Sequence, residues 1–143
     1  MAAQLSDESY KKIKALCQNG DKLSEQGKYD LALKEYVSAL AYVPAPVSDY
    51  EASTWILTAI GDTFFQMKNY NKSLMVFLDV MPCPDAIGNP FIHLRLGQSQ
   101  FENGNMDKAK DELVRAYMGG GAEIFAEDDE KYFGLVKDSI NIS

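Results

Sequence analysis

Apolar residues recur at intervals of three and four along nearly the whole chain. Leu16, Gly20 and Leu23 fall on one helical face, and Tyr29, Ala32, Leu33, Tyr36, Val37 and Leu40 on the next. Between them "EQGKY" carries a glycine, the residue that ends a helix and opens a tight turn. "ENGNM" does the same further on, and "QMKNY" places Asn69 at the equivalent point. The pattern therefore predicts helix–turn–helix hairpins.

The hairpin is repeated. "GDKLSEQGKYDLALKEYVSAL", "GDTFFQMKNYNKSLMVFLDVM" and "GQSQFENGNMDKAKDELVRAY" align without a gap. Each opens on a glycine: Gly20, Gly61 and Gly97, spaced by 41 and 36 residues. A large residue follows at Tyr29, Tyr70 and Met106, then a small one at Ala32, Ser73 and Ala109. Tyr36, Phe77 and Leu113 come next, then Ala39, Val80 and Ala116. Small residues let two helix backbones approach closely while the large ones fill the groove opposite.

The connections are short. Ser48 and Glu51 have capping-box spacing, and Asn89 followed by Pro90 reads as N-cap and first helical residue. A terminal hairpin leaves one apolar face open, so a cap is required. "EDDEKYFGLVKDSI" supplies it, with Tyr132, Phe133, Leu135, Val136 and Ile140 as its stripe and acidic residues at the positive end of the helix dipole. The expectation is an all-α chain of about seven helices in a single domain, 1–143. Its repeats lie near 7–44, 49–85 and 90–121, with a capping helix near 127–140.

These residues resemble the tetratricopeptide repeat (TPR) over about residues 13–121. Unit one is the best match, through Gly20, Gly27, Tyr29, Ala32, Tyr36, Ala39 and Pro44. Unit two departs at Ser73 and Val80, and unit three at Met106 and Leu113. The resemblance implies a right-handed α-solenoid of three TPR hairpins whose first helices line a concave, partner-binding groove. Carried across by position, that groove comprises Lys14, Cys17, Asp21, Ser24 and Glu25 from the first hairpin. The second gives Trp55, Thr58, Asp62, Phe65 and Gln66, and the third Phe91, Leu94, Gln98, Phe101 and Glu102. Aromatic anchors among polar residues are the composition of a protein-binding hot spot, although large aromatics at helical spacing also pack as core.

The carboxylate clamp of co-chaperone members of this family would map to Cys17, Asp21, Ala59, Phe91 and Arg95, where only Arg95 fits. Small acidic three-repeat proteins also resemble bacterial type III secretion chaperones that hold apolar translocator segments. The tail is similar to small stand-alone bacterial proteins of the immunity type, which neutralise a toxin by binding it. These resemblances imply a non-catalytic binding module, with the immunity-type role ahead of the chaperone role and of a homodimeric scaffold.

Charge narrows the partner. The formal net charge is −7 and the pI about 4.6. Nucleic acid, whose phosphates need a basic patch, is excluded as a partner, and a basic protein or one with an apolar segment is favoured. No apolar run reaches the ~20 residues of a membrane span, and the first residues lack the pattern of a signal peptide. Cys17 and Cys83 are isolated, the usage of a reducing, cytoplasmic setting.

Catalytic chemistry finds little support. His93, the single histidine, sits at a core-type position with no partner that the sequence nominates. The acidic run Glu127–Glu130 lacks the alternation and glycine of a calcium loop, so no metal or cofactor is expected. Gly119, Gly120 and Gly121 are not followed by a phosphate-binding lysine. They read as a pivot that swings Ile124 and Phe125 onto apolar surface ahead of the cap.

Overall fold

The structure, a computed structural model, describes residues 2–140. It is all-α, and among the described residues there are seven α-helices and no strand. Two compact units divide it, Met1–Ala86 and Ile87–Ser143.

The first unit holds two hairpins. Helices α1 (Asp7–Glu25) and α2 (Tyr29–Leu40) form one, and α3 (Glu51–Gln66) and α4 (Tyr70–Val80) the other. The second unit holds α5 (Pro90–Glu102) and α6 (Met106–Gly120), followed by α7 (Glu130–Ser139).

The repeated glycines mark where the paired helices touch. A Cβ built on Gly20 would lie 2.7 Å from the Tyr36 ring, and one on Gly61 2.6 Å from the Phe77 ring. On Gly97 it would lie 2.7 Å from Leu113 Cγ. These distances are shorter than carbon–carbon contact allows, so each glycine exists to admit the large residue sixteen positions later. The small residues of the second helices, Ala32, Ser73 and Ala109, are 0% exposed, as are Ala39, Val80 and Ala116. Ser73 donates its hydroxyl to the Gly61 carbonyl at 3.0 Å, which satisfies the one polar atom in this set.

The hairpin turns share one backbone solution. Gly27 (φ 75°) and Gly104 (φ 81°) take the left-handed conformation that closes α1 and α5. The following amides, on Lys28 and Asn105, reach back to the carbonyls of Leu23 and Gln100, each at 2.9 Å. In the second hairpin the left-handed residue is Lys68 (φ 62°), not Asn69. Asn69 instead N-caps α4, accepting from the Lys72 amide. A non-glycine residue is strained there, and the hydrogen-bonded turn on either side, Lys68 to Phe65 and Asn69 to Phe64, holds it.

Two caps differ in how far the sequence foretold them. Asn89 caps α5 through its side chain, with Pro90 at the first turn. The Ser48–Glu51 box does not form. Val47–Asp49 is a 3₁₀ turn and Tyr50 is the N-cap of α3, without a side-chain cap. Ser53 braces the turn differently, its hydroxyl donating to the Val47 carbonyl at 2.5 Å. The terminal helix is shorter than 127–140, because Asp129 caps it and donor Lys131 N–H occupies the Asp129 carboxylate.

Of the three glycines, Gly119 and Gly120 remain in α6 and only Gly121 (φ 71°) turns the chain. The first two are needed for space. A Cβ on Gly119 would meet Pro90 at 2.9 Å, and one on Gly120 would meet Ile124 at 2.9 Å. The turn leads into a 3₁₀ segment, Ala122–Phe125, whose Phe125 is buried and stacks on Phe133 with centroids 5.0 Å apart.

Candidate functional site

In the first unit α1 and α3 bring together Asp21, Ser24, Glu25, Ala59, Asp62 and Thr63 around a pocket of about 270 Å³, with Tyr36 of α2 behind them. The helical period places Asp21 and Glu25 one turn apart on one face of α1. No lysine or arginine lines this pocket. Tyr36 is buried and its hydroxyl donates to Asp21 Oδ1 at 2.6 Å, which fixes that carboxylate. Gln66 approaches the Asp62 carboxylate at 3.4 Å.

The buried groups beneath the pocket stay neutral. Burial first, and the Asp21 charge second, push the Cys17 thiol up to about 11. Burial and the hydrogen bond to Asp21 raise the Tyr36 hydroxyl well above its ordinary value of 10.0. The unfolded chain therefore releases these protons at lower pH than the folded chain. The thiol's contribution to stability is fully present below pH 9.0, its ordinary value, and is lost as pH rises through about 11; that of Tyr36 is fully present below pH 10.0 and declines above it. The slope stays below a limit of about 1.4 kcal/mol per pH unit for each group, which is approached only above that group's ordinary value and is reduced by solvent screening. Urea midpoints at pH 8 and pH 10.5 measure it, and Tyr36→Phe should flatten the dependence above pH 10.

The other expected groove residues of this unit lie elsewhere. Lys14 is exposed, with its ammonium 6.0 Å from the Tyr10 ring centroid. Cys17 is buried. Phe65 is half-buried, edge-on to Tyr70 at 5.3 Å. Trp55 is 39% exposed but lines a separate pocket with Gln4, Leu5 and Tyr50.

In the second unit the chain's own C-terminal segment covers the expected groove positions. Leu94 and Gln98 are 1% and 0% exposed and present no surface to a partner. The Gln98 amide donates to Asp128 at 3.0 Å, and Arg95 donates to both Asp128 oxygens at 3.3 and 3.2 Å. Arg95 also stacks over Phe91, 4.9 Å from its centroid. Glu102 accepts from the Tyr132 hydroxyl at 2.8 Å and pairs with Lys131 at 2.9 Å. Phe101 meets the Tyr132 ring edge-on at 5.2 Å. Phe91, Phe101 and Glu102 remain partly accessible.

His93 has a partner the sequence did not nominate. Its Nδ1 lies 2.5 Å from Glu112 Oε2, and its Nε2 accepts from the Gly88 amide at 2.9 Å. With Nε2 an acceptor, Nδ1 carries the proton and donates to Glu112. Both ring nitrogens are thus engaged inside a residue only 4% exposed. The hairpin register contained the signal, since Glu112 immediately precedes the Leu113 that seats on Gly97. Among the described residues no helix is long and apolar enough to cross a membrane.

No family model matches the sequence, and no curated protein matches it. Solved structures do. The first TPR of Spaghetti (RPAP3) bound to the HSP90 peptide SRMEEVD superposes with a TM-score of 0.65 at 20% identity, covering 90% of this chain and 91% of that one. The first TPR domain of human RPAP3 gives 0.68 at 18% identity, covering 92% and 98%. The chain has the TPR fold. A third TPR domain, C-terminal in a Plasmodium falciparum FK506-binding protein, agrees with a TM-score of 0.72 at 13% identity over 96% of this chain and 92% of that one. In TPR terms, Gly20, Gly61 and Gly97 are the small residues of the three first helices, and the acidic pocket lies on the first-helix face of two successive hairpins.

Proposed function

We propose that this TPR chain is a non-catalytic protein-interaction module that holds a basic segment of a partner against Asp21, Glu25 and Asp62. The observation that carries the reading is the pocket in which these three carboxylates converge without a basic residue in its lining. A lysine or arginine side chain entering there would exchange solvation for charge-assisted hydrogen bonds, each worth about 1.5–3 kcal/mol. One superposing TPR domain holds a peptide ending in Glu-Glu-Val-Asp. An anionic chain end suits this protein poorly, because Asp21 would repel it and Arg95 already bonds Asp128. A net charge of −7 steers a basic partner toward the module. The immunity-type role, stoichiometric blockade of a basic toxin, is the finer version of the same reading.

The reading can be tested with a lysine-rich peptide by calorimetry. Glu25→Gln with Asp62→Asn should weaken binding at least tenfold, about 1.4 kcal/mol. Asp30→Asn with Asp107→Asn removes the same charge from the exposed faces of α2 and α6 and should change affinity little. Equal losses in both double variants would reduce the interaction to bulk charge.

A further inference from the structure

A second pocket, of about 330 Å³, lies between the N-terminal segment and the start of α3. Tyr10, Tyr50 and Trp55 line it together with Gln4 and the carboxylates Asp7 and Glu51. The segment that closes it is tied down: the Ala3 amide donates to the Asp49 carbonyl at 2.8 Å, and Ala3 bridges to Tyr50. The volume is that of a small-molecule site. Three aromatic residues, whose π faces are negative, line the space, and no lysine or arginine lines it.

Two helix N-termini, of α1 and α3, lie beside the pocket and oppose a cation with roughly half a positive charge each. Asp7 and Glu51, in those first turns, line the pocket as carboxylates, so the balance favours a cation. The tyrosines of this unit already attract ammonium groups: Lys14 Nζ lies 6.0 Å from the Tyr10 centroid and Lys12 Nζ 5.3 Å from that of Tyr42. With Lys14 at Tyr10, Tyr50 and Trp55 supply the remaining ring surface. Both are incompletely buried, Trp55 at 39% exposure.

We infer that this pocket binds a small alkylated ammonium group, its methyl groups against Tyr50 and Trp55 and its charge balanced by Asp7 and Glu51. An alkylated cation suits aromatic walls better than a bare ammonium does, because less hydration is lost on entry. The site is separate from the Asp21, Glu25 and Asp62 pocket and does not depend on its function.

The single tryptophan of the chain is Trp55, so its fluorescence reports the site directly. Choline chloride, titrated at constant ionic strength, should shift the emission saturably. The neutral isostere 3,3-dimethylbutan-1-ol should not. Glu51→Gln and Tyr50→Leu should each raise the dissociation constant about tenfold, within the range of cation–π and charge effects. Tyr50→Phe, which keeps the ring, should retain binding, and circular dichroism checks that each variant is folded. A trimethyl-lysine peptide run alongside separates the sources of the cation: tighter binding than choline places it on a protein, and weaker binding makes it a free solute. An equal response to the neutral alcohol, a non-saturating response to choline, or unchanged affinity in both folded Glu51→Gln and Tyr50→Leu would overturn the inference.

Discussion

Ala32→Glu is expected to unfold the first hairpin. Ala32 is 0% exposed and sits in the core that joins α1, α2 and α3. A glutamate there has two options, and both are costly. It can remain charged and unpaired in an apolar surrounding, or it can be neutralised and still force larger atoms into a filled space. An unpaired buried charge costs about 3–5 kcal/mol. Total stability for a domain of this size is about 5–15 kcal/mol. Loss of helical circular dichroism at room temperature, or a large fall in the urea midpoint, is the expected result. Ala41→Glu, at the exposed C-cap of α2, should stay within about 0.5 kcal/mol of the parent. A native-like Ala32→Glu transition would mean that the helices are paired in a different register.

The second large effect is a difference in sign between two identical substitutions. Gly97→Ala places a Cβ 2.7 Å from Leu113 Cγ and 3.0 Å from the Leu113 backbone nitrogen. Alanine's better helix propensity contributes at most about 1 kcal/mol. Overpacking typically costs about 1–3 kcal/mol, and part of this clash is with backbone, which cannot rotate away. The clash should win, giving a net loss of about 2 kcal/mol and a melting midpoint lower by several degrees. Gly134, inside α7, has nothing within 4 Å of a built Cβ. Gly134→Ala should therefore gain about 0.5–1 kcal/mol from propensity alone. Thermal melts of both variants decide the matter, and a stabilised Gly97→Ala would remove the steric reason for the repeated glycine.

These two predictions rest on residues that were legible in the sequence. A glycine facing a large residue sixteen positions later, three times over, is a steric requirement that chemistry elsewhere cannot replace. The hairpins and the buried small residues follow from it. The turn at Lys68 was not legible, because hydrogen bonds on both sides hold a residue that local preference disfavours. Nor was the start of α3, where a 3₁₀ turn takes Ser48 out of the capping position.

The placement of the candidate residues was legible where it depends on one hairpin face and obscured where it depends on distant chain. Asp21, Glu25 and Asp62 were carried across by position from the TPR resemblance, and the fold brings them to one pocket. Leu94 and Gln98 were carried across in the same way, yet Asp128 and the turn at Gly121 bring the C-terminal segment over their hairpin. Trp55 joins Gln4 and Leu5 only because Ala3 bridges to Tyr50, a contact across 47 positions of sequence that periodicity does not encode.

The central claim is that a basic segment binds on the first-helix face of the first two hairpins. Chemical-shift mapping of the isotopically labelled protein with a lysine-rich peptide tests it most directly. Saturable shifts centred on Asp21, Ser24, Glu25, Ala59, Asp62 and Thr63, and lost in Glu25→Gln with Asp62→Asn, are the expected result. Shifts spread evenly over the acidic surface, or centred on α5 and α6, would contradict it.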